Sequence, residues 1–204
     1  LIDEIYRKKI NNSKSFFSLN EEITGENHIS KIRKIIRKIK SYKADYIFIS
    51  APENVAWLLN IRGHDNPSSP IPNCRLIIGG RKQIFLFTHK NKVSKIIKER
   101  KFNNCKIIDP SNFEKFTKNL KGKKFIIDPL TCSIKNENII KSKFKIIVKN
   151  DPCYKLKSLK NSSEIKNIIY AHVEDGVALT KFIYWIKNKN KNKITEIDSE
   201  KKLE

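Results

Sequence analysis

Apolar residues recur along this chain in two rhythms, short unbroken runs and stripes at helical spacing. The runs Asp45–Ser50, Cys74–Ile78, Gln83–Thr88, Cys105–Asp109, Lys124–Asp128 and Phe144–Val148 are rich in Ile and Phe and end at turn formers. Each predicts a β-strand. Between them, Ile32, Ile35, Ile36 and Ile39 form a helical stripe that Ser30 could N-cap and that ends near Ser41. Val55–Ile61 reads as a short apolar helix or turn that must be buried. Asn91 leads a helix with Val93, Ile96 and Ile97. Ser111 caps another through Phe113, Phe116 and Leu120, stopped by Gly122, and Ser133–Ile140 forms one more. Gly79-Gly80-Arg81-Lys82 predicts a hairpin turn, and Glu21–Asn27 a turn. Strands alternating with helices imply an α/β domain over residues 21–150, with a mixed sheet flanked by helices.

The two ends read differently. Residues 1–20 place Ile2, Ile5 and Tyr6 at helical spacing and then turn polar, as the tail of a preceding domain or a linker would. After Asp151-Pro152-Cys153, Asn161 and Glu164 form a capping-box pattern ahead of the longest apolar stripe in the chain. That stripe runs from Ile165 to about Trp185–Lys187. Lys187–Lys193 reads as a solvated loop, and Thr195 caps a further helix.

Ala51–Asn73 is the stretch around which the rest is organised. A buried anchor carrying Trp57 leads into a polar, proline-rich loop with Arg62, Gly63, His64 and Asp65. Gly63 suits an unusual backbone angle there. Stiff polar loops on buried anchors present binding surfaces, although a plain β–α connection explains the pattern too.

Composition narrows the classes. The 204 residues carry 43 Lys and Arg against 21 Asp and Glu, a net charge of +22. The lysines are scattered through every segment without interleaved aromatics, which argues against a specific nucleic-acid site and leaves salt-sensitive adhesion to polyanions. Cys74, Cys105, Cys132 and Cys153 lie too far apart for a zinc knuckle or a secreted disulfide framework. No transmembrane run or signal peptide is present, so a cytoplasmic setting without membrane partners is the default. Lacking Met throughout and stopping in mid-pattern, the sequence reads as a piece of a longer protein.

Asn54-Val-Ala-Trp-Leu-Leu-Asn-Ile-Arg-Gly63, followed by Asp65, resembles a signature of the Xaa-Pro aminopeptidases (aminopeptidase P). His64 stands where that family more often has a small polar residue. A second block is similar to the same family: Lys160-Asn161, Glu164-Ile165, Ala171-His172, Asp175-Gly176, Ala178-Leu179, Phe182, Trp185 and Thr195-Glu196-Ile197. The resemblance implies a creatinase N-terminal-like middle domain over 21–150 and the start of a truncated pita-bread metallopeptidase domain over 151–204. It also implies peptide substrates with proline in second position, compatibility with a homodimer, and two divalent metal ions, expected to be Mn, in the full-length enzyme. The family's metal ligands lie in motifs downstream of Glu196-Ile197. None can be placed on this chain, which is expected to bind no metal and to be inactive alone.

Local substitutes for a catalytic centre are weak. His172 and Asp175 share a helix face but make only two ligands, so His172 reads as a core-edge histidine. Asp109, Asp128 and Asp151 precede prolines at strand ends, where Asp commonly forms turns. Cys153 reads as structural. The substrate-cleft candidates are Arg62, His64 and Asp65. Either Arg62 and Asp65 pair and set the loop's shape, or the loop borders the cleft of the same or a partner subunit. The other reading of the whole is a non-catalytic basic α/β interaction module.

Overall fold

The computed structural model describes residues 14–66, 69–99, 105–189 and 194–203. They divide into two compact units, one ending at Leu159 and the other beginning at Lys160. The first holds β1 (Phe17–Ser18), α1 (Glu21–Thr24), α2 (His28–Ser41), β2 (Tyr46–Ile49), α3 (Pro52–Leu59), β3 (Ile61–Arg62), β4 (Arg75–Gly79) and β5 (Ile84–Phe87). A 3₁₀ turn, Lys90–Val93, leads into α4 (Ser94–Lys98). There follow β6 (Cys105–Ile108), α5 (Phe113–Asn119), β7 (Lys124–Ile127), α6 (Ile134–Lys141), β8 (Lys145–Val148) and α7 (Pro152–Ser158).

Six strands form one mixed sheet in the order β6-β5-β4-β2-β7-β8, and β4 alone runs against the others. Its centre explains the apolar runs. In β2, Ile47 and Ile49 face one side while Tyr46 and Phe48 face the other, and all four are buried. The first side packs Ile32, Ile35 and Ile39 of α2 and Val55 and Leu58 of α3. The second packs Phe113 of α5 and Ile140 of α6, with Phe125 and Phe144 in edge-to-face contact at 5.2 Å. The expected mixed α/β sheet with helices on both faces is therefore present.

Local details correct several expectations. Asn27 N-caps α2, accepting from the main-chain N–H of Ser30 at 2.9 Å, while the Ser30 hydroxyl donates to Glu26 at 2.5 Å. Asn wins because its side chain sits where the backbone is still extended. The expected turn at Glu21–Asn27 contains the single-turn helix α1, closed by left-handed Gly25. In the β4–β5 hairpin, Lys82 rather than a glycine takes the left-handed conformation, with φ 67°. Leu120 is already extended, so α5 ends before Gly122. The expected helix over Ile2–Tyr6 lies outside the described residues.

The second unit contains α8 (Ser162–Lys187) and α9 (Glu196–Leu203). Both start as expected. Asn161 accepts from Glu164 N–H at 2.9 Å and its own N–H donates to the Glu164 carboxylate at 3.0 Å, while the Thr195 hydroxyl accepts from Asp198 N–H at 3.2 Å. His172 is exposed rather than at a core edge, because the apolar stripe of α8 is itself exposed, Ile169 and Val173 by 60% each.

Candidate functional site

Ala51–Asn73 spans α3, β3 and the loop that returns to β4. Pro52 opens α3 at a position where its missing N–H costs nothing. The helix then buries Asn54, Val55, Ala56, Leu58 and Leu59 and stops at Asn60, which adopts a left-handed conformation with φ 54°. Two cations close its C-terminal end. The Lys31 ammonium, 1% exposed, donates to Trp57 O at 3.1 Å and lies 4.2 Å from the Trp57 ring centroid. The Arg62 guanidinium donates to Ala56 O at 3.3 Å and to Ile61 O at 2.9 Å. Cations at a helix C-terminus meet its unpaired carbonyls and its negative dipole end.

Asn60 ties this end to the preceding segment. Its Oδ1 accepts from Lys31 at 2.7 Å, and its Nδ2 donates to Glu26 O at 2.8 Å and to the Thr24 hydroxyl at 3.2 Å. A cavity of about 240 Å³ beside it, bordered by Ser18, Asn27, His28 and Leu59, is smaller than the roughly 300–1,000 Å³ of ordinary ligand pockets. Burial lowers the His28 pKa.

The other end of α3 is bound to α7. Asn54, 0% exposed, donates to the Asp151 carboxylate at 2.7 Å and accepts from the Lys157 ammonium at 2.7 Å. Asp151 N–H donates to Asp128 at 2.8 Å, and the other Asp151 oxygen accepts from Cys153 N–H at 2.9 Å. Burial raises the Asp151 pKa against these hydrogen bonds. Asp128 and Asp151 are thus buried connectors, a role that the Asp-Pro pattern alone did not reveal.

Beyond β3 the loop is braced. Gly63 N–H donates to Pro70 O at 3.0 Å, and Asp65 accepts from Asn73 N–H at 2.7 Å. Asp65 is paired with Lys92, both side chains largely buried, and Lys92 O in turn accepts from Phe16 N–H at 2.7 Å. The pairing of Arg62 with Asp65 is therefore overturned: Arg62 points back to the helix end and Asp65 across to Lys92. Gly63 does not take a positive φ. A Cβ there would lie 2.8 Å from Pro72 Cα and 3.0 Å from Phe16 Cδ1, so crowding requires glycine. Gly63→Ala should lower stability by about 1–3 kcal/mol, as forced overpacking does, seen as a reduced urea midpoint with an unchanged slope; an unchanged midpoint would show that the loop yields.

Arg62 and His64 remain at the surface of this brace. Arg62 is half-buried, which lowers its pKa, and among the described residues it has no ion pair. His64 is exposed, with its ring 5.4 Å from that of Phe17 across the β1–β3 ribbon. Of the three candidates, the structure keeps Arg62 and His64 near one face and commits Asp65 to holding the loop. Among the described residues, no three His, Cys, Asp or Glu side chains gather as a metal ion would need. Burial pushes the thiols up, Cys105 to about 12 and Cys132 to about 11, which keeps them protonated and poor nucleophiles.

The model of the creatinase/prolidase N-terminal domain matches residues 7–164. The chain belongs to this family. Among relatives of this creatinase/prolidase N-terminal domain, it is 30% identical over 174 residues to Xaa-Pro aminopeptidase 1 of Dictyostelium discoideum, covering 84% of this chain and 27% of that protein. It is 28% identical over 210 residues to Xaa-Pro aminopeptidase ApepP of Drosophila melanogaster, covering 97% and 33%. The chain thus spans no more than about a third of these relatives. In fold it resembles the X-prolyl aminopeptidase of Caenorhabditis elegans, a cytosolic enzyme with a di-nuclear active site, with TM-score 0.87 and 23% identity over 99% of this chain and 34% of that one. The prolidase of Pyrococcus horikoshii shares the fold at TM-score 0.57 and 21% identity, over 86% and 47%. Among the described residues, no helix is long and apolar enough to cross a membrane.

Proposed function

We propose that this chain is the part of an Xaa-Pro aminopeptidase that shapes the substrate cleft, with its braced loop as a wall of that cleft. In this reading residues 21–150 are the middle domain and residues 151–204 begin a pita-bread domain, after a tail of an earlier domain in 1–20. The parent enzyme is cytoplasmic, acts on peptides with proline second, can form a homodimer and uses two divalent metal ions, expected to be Mn. The observation that carries the reading is the family match over residues 7–164 together with the Xaa-Pro aminopeptidase relatives. Among the described residues no three His, Cys, Asp or Glu side chains gather, and no chemical step is assigned to them.

What these residues do is bind and exclude. An Xaa-Pro bond is a tertiary amide without an N–H, so recognition has to come from the rest of the peptide backbone and its termini. Arg62 offers forked donors from a half-buried position to carbonyl or carboxylate groups. His64, on the exposed side of the ribbon, limits what can lie beside it. In the parent enzyme, Arg62→Ala should raise KM for Xaa-Pro tripeptides about tenfold, the size of one lost charge-assisted hydrogen bond, while kcat stays within about twofold. Unchanged KM for peptides of two to five residues would remove the loop from the cleft.

A further inference from the structure

The lysines scattered along the sequence are gathered by the topology. Five of the six strands run the same way, so their starting ends share one edge of the sheet with the β4–β5 turn. Hydrogen bonds knit four turns together there. Gly80 N–H donates to Asp45 O at 2.8 Å, Asp45 N–H to Lys124 O at 3.0 Å, Lys145 N–H to Lys123 O at 2.8 Å, and the Tyr46 hydroxyl to Lys121 O at 2.8 Å. The Lys143 ammonium reaches Lys118 O.

These turns expose Lys43, Lys82, Lys121, Lys123, Lys141 and Lys143, and none of the six is in an ion pair among the described residues. Asp45 is the carboxylate within them, and its Oδ2 is taken by the main-chain N–H groups of Lys123 and Lys124 at 2.8 and 2.9 Å. The opposite end of the sheet differs. There the strands β6 and β7 run out into Asp109 and Asp128, Glu53 follows β2, and Asp151 follows β8.

We propose that this basic edge binds the phosphodiester backbone of single-stranded nucleic acid, without reading its sequence. Adjacent strands lie about 4.8 Å apart, so the turns from β4 to β8 set cations in a row roughly 15 Å long, a match for a linear chain of closely spaced charges. Tyr42, 38% exposed, precedes β2 at the same edge next to Lys43, and the Lys149 ammonium 5.4 Å from its ring centroid reaches it from the chain after β8. An exposed aromatic beside cations gives an unpaired base a face to stack on, which a sulfated glycan lacks. The proposal is independent of the peptidase reading.

The test compares three versions of the 204-residue chain by fluorescence anisotropy with a labelled mixed-sequence RNA oligonucleotide across a salt series. One is unaltered, one carries Lys43, Lys82, Lys121 and Lys123→Gln, and one carries the same change at Lys90, Lys95, Lys135 and Lys155, which keeps net charge equal. The edge variant should bind at least tenfold more weakly and lose about 3 from its log–log salt slope, at about 0.7 per phosphate contact on a single strand. The control variant should retain most of both. Tyr42→Ala should weaken binding of the single strand more than of a duplex. Equal loss in the two lysine variants would show that net charge alone binds and would overturn the proposal, as would tighter binding of a heparin oligosaccharide of matched charge. Far-UV circular dichroism identifies any variant that fails to fold, and in that case single Lys→Gln changes at the same positions decide by the same comparison.

Discussion

Asn60→Val should destabilise the first unit by about 4 kcal/mol. Two effects combine. A β-branched residue at φ 54° costs about 1–2 kcal/mol in the left-handed region. Loss of the amide also removes one acceptor of the buried Lys31 ammonium, which keeps Trp57 O, and the donor to Glu26 O, and buried groups that lose a hydrogen-bond partner cost about 1–3 kcal/mol, more when charged. Asn60→Gly separates the two, because glycine keeps the conformation and loses only the hydrogen bonds. It should fall between wild type and Asn60→Val by urea unfolding. Equal stability of Asn60→Gly and wild type would show that the side-chain bridge is not what closes α3.

Asn54→Leu should cost about 3 kcal/mol by the same logic at the other end of the helix. The leucine keeps the branching of the side chain but leaves the Asp151 carboxylate and Lys157 ammonium without the amide between them. Unfolding is best followed by Trp57 fluorescence in a Trp185→Phe background, so that the second unit stays silent. pH supplies an independent check. The Asp151 pKa is raised in the fold above its ordinary 3.8, first by burial. A raised folded pKa means that its contribution is fully present below the unfolded value and lost as pH rises through the folded one. The stability difference between wild type and Asp151→Asn should therefore shift against wild type as pH rises from 4 towards neutrality. A difference independent of pH would mean that Asp151 is not strained by burial.

The sheet was legible because its strands are apolar on both sides and its turns are marked by Gly, Pro and Asp. Strand limits came out within a residue or two for the same reason: β2 ends where Ser50 and Pro52 end the apolar run. Caps were harder to assign when two candidates stood three residues apart, as with Asn27 and Ser30, since either side chain can serve and only the backbone decides. Within Ala51–Asn73, the importance of the stretch was visible but its internal wiring was not. Proximity along the chain suggested that Arg62 and Asp65 would pair. Asp65 instead meets Lys92, which is brought in by the 3₁₀ turn after β5, a contact between residues too distant in sequence for spacing to reveal. Lys31 is the clearest omission. A lysine within an isoleucine stripe reads as solvent-facing, and only the carbonyl end of α3 above it explains why it is buried.

The signature-bearing helix is thus accounted for by construction rather than by reaction. Asn54, Trp57, Asn60, Gly63 and Asp65 each hold α3 or its loop in place, Arg62 lies half-buried against the end of α3, and His64 is exposed beside that frame. The central claim is that this chain shapes a cleft whose chemistry lies in other residues of the parent enzyme. The most direct measurement is release of the N-terminal residue from an Xaa-Pro tripeptide, with and without Mn²⁺, by the 204-residue chain and by its full-length parent. The account expects metal-dependent release by the parent and none by the chain alone; chelator-sensitive release by the chain alone would contradict it.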